Sequence, residues 1–310
     1  MKRGITILAL LILAAFIAGY FLISKSQQFI LSTDMNCTDE GATRLVQNKE
    51  KWNLCWPGEK EGNDLYTFKN YHYRINKIML DGFEATIYNG TDSLKSNLQI
   101  LPVGTDSSEF QLSGSYRFSS NPIGRFVQYF RMKNMQNNMA ELLIAIKPFF
   151  EKDENIYGMK IEKQKVKDSS FVSLRNSYTH YPSTEEIYGM VNSLKEYIIK
   201  KKGVENGYPM LNVFETGPES YEAMVAIPTK WDIPMEGNFK LKKMVLGNIL
   251  VGEVKGGVKT ITQQEKELAF YVTDHNKMSP AISFQSLVTN RLQEPDTSKW
   301  VTRLYYPVFN

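Results

Sequence analysis

Ser183-Thr184-Glu185-Glu186 and Thr262-Gln263-Gln264-Glu265 are the two stretches on which the reading of the fold turns. Each places a hydroxyl three residues ahead of a carboxylate, the capping-box pattern in which two side chains satisfy orphan N–H groups at a helix start. Each also stands at the same point in a longer order of elements. In the first copy, segments within 159–179 read as opening strands, 183–202 as a helix, and 208–214 and 221–228 as a closing pair of strands. In the second, 239–258 opens, 262–276 is the helix, and 281–289 and 300–308 close. Residues 157–310 therefore read as one β-α-β-β unit present twice. Two such units side by side leave a groove, and a groove is a place for a ligand.

At 310 residues the chain is long enough for two domains. Apolar content of 42% and charged content of 23% are those of ordinary globular protein. The net charge of +4 is small and dispersed. Its densest cluster, Lys200, Lys201 and Lys202, falls at the end of the expected helix, where cations offset the helix dipole. With no recognition element present, nucleic acid is not an expected partner.

Residues 4–24 carry no charge and follow Lys2 and Arg3. A run of about 20 such residues is long enough to cross a bilayer as a helix. The basic pair is expected to hold the N-terminus in the cytoplasm. This gives a single-pass signal anchor over 1–25, with the membrane as a partner and the globular domains exported, into the periplasm if the source is bacterial. A cleaved signal peptide is the competing reading; its apolar core runs roughly 7–15 residues before a small-residue cleavage site. Tyr20, Phe21, Leu22 and Ile23 occupy that place. Cys37 and Cys55 are the two cysteines. They either pair across a loop of about 18 residues, worth about 3 kcal/mol, or remain free thiols.

Residues 26–152 form the first exported segment. A strand over 27–36 and a helix starting at Thr38 lead to Trp52, Trp56, Pro57 and Gly58, where the helix breaks. The two tryptophans fit packing beneath a sheet, as large aromatics dominate core burial. From Tyr66 to Phe118 the apolar period is two, with turn signals at Asp81-Gly82, Asn89-Gly90 and Gly104-Thr105-Asp106: an antiparallel meander with one dry face. A long amphipathic helix over 124–150 follows, its stripe formed by Met132, Met135, Met139, Leu142, Leu143, Ile146 and Phe149. Pro148 is expected to kink or end it, and 151–155 to form a polar linker. This order, with the Trp52/Trp56-Pro57-Gly58 break, resembles the SRPBCC (START-like, helix-grip) superfamily. The resemblance implies an apolar cavity between helix and sheet.

In residues 153–310, four segments resemble the GyrI-like effector-binding domain, also found at the C-terminus of AraC-type activators. They are Tyr221 to Pro228, Gly247 to Gly256, Phe284 to Asn290, and Trp300 to Val308 preceded by Glu294-Pro295. The resemblance implies small-molecule binding between the two halves, with cationic and aromatic ligands held by aromatic side chains and a central acid. Carried over by position, it places Trp300, Tyr305, Phe284 and Gln285 at the ligand. The chain departs from the family where Gln285 stands for the usual acid, and where Val254, Gly257 and Val258 replace the usual histidine and Pro-Tyr. A neutral amide neither acts as a general base nor balances a buried cation as a carboxylate does. Glu253 and Glu222 are the candidate replacement carboxylates.

The expected fold class is thus α+β: an N-terminal transmembrane helix, a helix-grip domain with an antiparallel sheet and long C-terminal helix, and a duplicated β-α-β-β domain. The expected function is a membrane-anchored protein holding an amphipathic or aromatic small molecule in the inter-repeat groove, without catalysis. A hydrolase using Glu253 or Glu222 in the same groove, and a structural interaction protein of the cell envelope, are the alternatives. No motif calls for a cofactor, and His72, His180 and His275 lack metal-ligand spacing.

Overall fold

The computed structural model describes residues 23–166 and 170–309, together with 7, 10, 14, 17, 20 and 21. The chain divides into two compact units, Met1–Lys152 and Asp153–Asn310. Every strand pair in both is antiparallel.

The first unit runs β1 (Ser26–Met35), α1 (Asp39–Gln47), a single turn α2 (Trp52–Cys55), β2 (Lys60–Gly62), β3 (Leu65–Phe68), β4 (Tyr71–Met79), β5 (Gly82–Asn89), β6 (Asp92–Gly104), β7 (Ser107–Arg117) and α3 (Pro122–Phe150). Its seven strands lie in the order β1-β7-β6-β5-β4-β3-β2, so β1 returns to close the sheet beside β7. Alternation decides what is buried: Phe83, Ala85 and Ile87 on β5, Leu94, Leu98 and Ile100 on β6, Phe110 and Leu112 on β7. Asn121 caps α3 by accepting from Ile123 N and Gly124 N. Met132, Met135, Met139, Leu142, Leu143 and Ile146 are buried from that helix, and Phe150 completes the stripe where Phe149 was expected. The helix continues two residues past Pro148. The carbonyl that loses its partner belongs to Ile144, which is exposed and open to water.

Trp52 and Trp56 stack 6.3 Å apart, with Trp52 also 4.8 Å from Phe83. Their indole N–H groups donate to Val46 O and Thr67 O. These rings and Tyr73, Phe110 and Phe150 leave an apolar space of about 30 Å³, room for roughly one or two waters. Cys37 and Cys55 are not joined to each other by a disulfide; Cys37 Sγ lies 3.4 Å from Ser108 Oγ, and burial pushes the Cys55 thiol up to about 12.

The transmembrane part of the expected fold class, and the single-pass localisation drawn from it, are corrected here. Among the described residues no helix is long and apolar enough to cross a membrane. Most of 4–24 lies outside the described residues. What is described of its end is in polar contact: the Arg125 guanidinium lies 4.0 Å over the Tyr20 ring and donates to Tyr20 O and Ile23 O. The architecture is two antiparallel sheets with helices packed on them.

The second unit begins with α4 (Asp153–Tyr157), a short helix where a polar linker was expected; buried Tyr157 holds it by donating to Asp274 Oδ2 at 2.8 Å. Then come β8 (Ile161–Lys165), β9 (Ser170–Tyr178), α5 (Thr184–Lys200), β10 (Met210–Gly217), β11 (Ser220–Thr229), β12 (Lys240–Lys243), β13 (Asn248–Lys255), α6 (Val258–Asp274), β14 (Phe284–Leu287) and β15 (Val301–Val308). The strand order is β12-β9-β11-β10-β14-β15-β13-β8, which reads the same in architecture from either edge. Helix α5 covers β9 and β11 through Ile187, Val191, Leu194 and Ile198. Helix α6 covers β13 and β15 through Ile261, Leu268 and Val272. The edge strands are exchanged: β8 precedes the first half in sequence but pairs with β13 of the second, and β12 precedes the second half but pairs with β9 of the first.

The two expected capping boxes differ. At Ser183 both bonds form, Glu186 N to Ser183 Oγ at 3.2 Å and Ser183 N to Glu186 Oε2 at 2.7 Å. At Thr262 there is no cap, because α6 starts four residues earlier, after Gly256 and Gly257. Gly256 has φ +147°, a conformation side chains resist, and its missing Cβ leaves room for Thr260. Ser183→Ala is therefore expected to cost about 1 kcal/mol of stability. Thr262→Ala is expected to be neutral or stabilising by a few tenths of a kcal/mol, both read by urea denaturation.

Candidate functional site

Strand alternation in the second unit sorts its side chains onto two faces. On the face away from α5 and α6, the register aligns Met210 with Ala226, Asn212 with Met224, and Phe284 with Tyr305. The rings of Phe284 and Tyr305 stack in parallel, centroids 4.9 Å apart and 9° from coplanar. Met210 and Phe284 stand on the two strands that join the halves, whose pairing is Met210 to Ser286 and Leu211 to Gln285.

Two adjoining clefts open on this face and share Met210, Met244 and Phe284. The smaller, about 90 Å³, is walled by Phe171, Met224, Ala226, Ile282 and Asn212, with Lys243 at its rim. The larger, about 470 Å³, is walled by Tyr208, Pro228, Ile249 and Tyr305, with Lys165 at its rim. Thioethers and aromatic faces of this kind adapt to apolar ligands of varied shape. Asn212 Nδ2 donates to Ser283 O at 2.8 Å, while its Oδ1 is buried with no hydrogen-bond partner.

On the helix-covered face a second cluster lies at the same seam. Arg291, 7% exposed, lies 5.0 Å over the Trp300 ring and donates through Nη2 to Gln285 Oε1 and Thr302 Oγ1. Gln285 Nε2 donates in turn to Glu265 Oε1 at 3.1 Å. Tyr188 of α5 accepts from Arg291 N and donates to Thr289 O, which ties α5 to the segment between β14 and β15, while Glu265 ties α6 to Gln285 of β14. Burial pushes the Glu265 carboxyl above its ordinary value; the Gln285 hydrogen bond and the Arg291 charge pull the other way. Burial likewise lowers Arg291, with Tyr188, Tyr181 and Glu265 opposing.

The structure thus separates the six residues singled out from sequence. Phe284 and Tyr305 meet in the open clefts. Gln285 and Trp300 belong to the opposite face, where Trp300 is 6% exposed and its indole N–H donates to Glu294 O. Glu253 is on the open face, outside the clefts, 3.0 Å from Arg303 of the neighbouring strand. Glu222 lies 2.5 Å from Arg175. Each carboxylate is matched by an arginine, and neither reaches the clefts. Met210, Met224, Met244 and Asn212 were missed. Alternation along 210–214 marks Met210 and Asn212 as one face, but only the register shows that this face is the open one. Glu265 was assigned to a cap, and Arg291 carries no sequence signal of burial. Among the described residues no group of three or more His, Cys, Asp or Glu side chains is placed to hold a metal ion.

No protein family and no curated protein sequence matches this chain. Solved structures similar to it include the C-terminal domain of EcmrR, at 12% identity over 48% of this chain and 97% of that one, TM-score 0.43. EcmrR in a DNA complex is similar at 15% identity over 62% and 73%, TM-score 0.45. SAV2435 bound to tetraphenylphosphonium is similar at 15% identity over 48% and 94%, TM-score 0.34.

The raised Glu265 carboxyl fixes a sign. The folded state holds this proton more tightly than the unfolded chain, so its contribution to stability is complete below the ordinary value of 4.5 and is lost as pH rises through the raised one. The unfolding free energy of the wild type relative to Glu265→Gln is expected to fall as pH rises from 4.5, measured by denaturation across pH 4–8.

Proposed function

We propose that the second unit binds an amphipathic or aromatic small molecule in the open-face groove that crosses the seam between its halves. The Phe284–Tyr305 stack beside Met210 and Met244 is the observation that carries this reading. A flat apolar ligand extends the stack, and the methionines conform to its edges. The groove needs no moving part to admit such a molecule, because it is already open. Binding is favoured over hydrolysis by the state of the carboxylates: Glu253 and Glu222 are both ion-paired to arginines and neither lines the clefts.

The test is a thermal-shift screen of the full chain against aromatic cations, anions and neutral lipophiles. A ligand at 100 times its Kd stabilises the native state by about 2.7 kcal/mol, enough to read as a shift. For any hit, Tyr305→Ala is expected to weaken binding at least ten-fold while the protein still melts cooperatively. Trp300→Ala is expected to do the reverse, lowering stability by about 3 kcal/mol as a buried ring is lost and leaving affinity within two-fold. Affinity that follows Trp300 and ignores Tyr305 sinks the open-face assignment.

A further inference from the structure

The groove also carries a charge sign. Among the described residues, the charged side chains lining the two clefts are Lys243 at one and Lys165 at the other, and no carboxylate lines either. Strand β12 adds Lys240 and Lys242 to the same edge, and Lys242 Nζ lies 3.4 Å from the Met224 sulfur that walls the smaller cleft. Glu222 pairs with Arg175 and Glu253 with Arg303, away from the clefts, while Asp232 pairs with the rim lysine Lys243 itself at 3.4 Å, both side chains exposed. An exposed pair of that kind is weak and leaves the ammonium available to a ligand. Deeper in, Asn212 Oδ1 is a buried acceptor with no partner, its amide fixed by the bond from Nδ2 to Ser283 O. A buried acceptor left unpaired is costly, and a ligand donor placed against it recovers that cost.

We infer that the groove selects an amphipathic organic anion bearing an N–H or O–H donor: the apolar body lies among Met210, Met224, Met244 and Phe284, the donor meets Asn212 Oδ1, and the anionic group faces Lys165 or Lys243. This rests on the proposed small-molecule site and adds its charge preference, which is opposite to the cationic ligands that the sequence resemblance implies. Among the described residues, a cation in the same place meets two lining ammonium groups, one of them in the exposed pair with Asp232, and no lining carboxylate.

Three fluorescent probes test it on the full chain. 1-Anilinonaphthalene-8-sulfonate is an anion with one N–H; N-phenyl-1-naphthylamine is its neutral counterpart; rhodamine 6G is an aromatic cation. The sulfonate is expected to bind at least ten-fold more tightly than rhodamine 6G, and to weaken as salt is raised. The double variant Lys165→Glu, Lys243→Glu, changed only at rim lysines, is expected to weaken the sulfonate at least ten-fold and to leave the neutral probe within two-fold. Asn212→Leu is expected to weaken both anilines about five-fold. Rhodamine 6G binding more tightly than the sulfonate, or a sulfonate affinity untouched by the double charge reversal, overturns the charge preference. Tyr305→Ala separates the two levels. Loss of whichever probe binds keeps the groove and judges only the sign, whereas probe binding indifferent to Tyr305→Ala overturns the groove itself and this inference with it.

Discussion

The pairing of β10 with β14 is the contact on which the second unit depends. It consists of two residue pairs, Met210 with Ser286 and Leu211 with Gln285, yet it makes one eight-stranded sheet of two four-stranded halves. Short as it is, it gives both faces their character. On one side it sets Met210 beside Phe284 and forms the floor of the groove. On the other it sets Leu211 beside Gln285 and brings the polar cluster to the line between the helices. A slip of one residue along β14 would exchange these faces, turning Phe284 toward the helices and Gln285 toward solvent.

The buried cluster at the seam shows how the chain accommodates a polar interior. Glu265, Gln285, Arg291 and Thr302 form a connected set in which the amide serves both neighbours, accepting from the guanidinium and donating to the carboxylate. A carboxylate at position 285 would accept from Arg291 but offer nothing to Glu265. The glutamine is thus the residue type this arrangement requires. Arg291 is further held by the Trp300 face, where a guanidinium loses less on dehydration than an ammonium would.

What was legible in the sequence was local. Ser183 and Glu186 are three residues apart and bond to each other's backbone, so their pattern suffices to locate the start of α5. The same pattern at Thr262 and Glu265 misleads, because the helix already starts at Val258 and both residues lie inside it, where Glu265 meets Gln285, 20 positions away. Phe284 and Tyr305 stand out as aromatics at alternating positions of closing strands, and they do meet. Trp300 stands out equally and faces the other way, since one residue of offset in a strand reverses the side. Asn212 and the methionines became visible only through cross-strand register. The apolar N-terminal run shows the limit of composition: it establishes hydrophobicity, while the spanning helix expected from it is not found among the described residues.

The exchange of edge strands has a consequence for how such a unit can exist. A half cut from this chain at the boundary between β11 and β12 would retain β8, whose pairing partner β13 lies in the part removed, and would lack the strand that covers the free edge of β9. Each half thus holds the edge strand that the other lacks. Joining two copies in one chain makes that exchange intramolecular and removes its dependence on concentration. It also couples the halves: melting either one would strip an edge strand from the other.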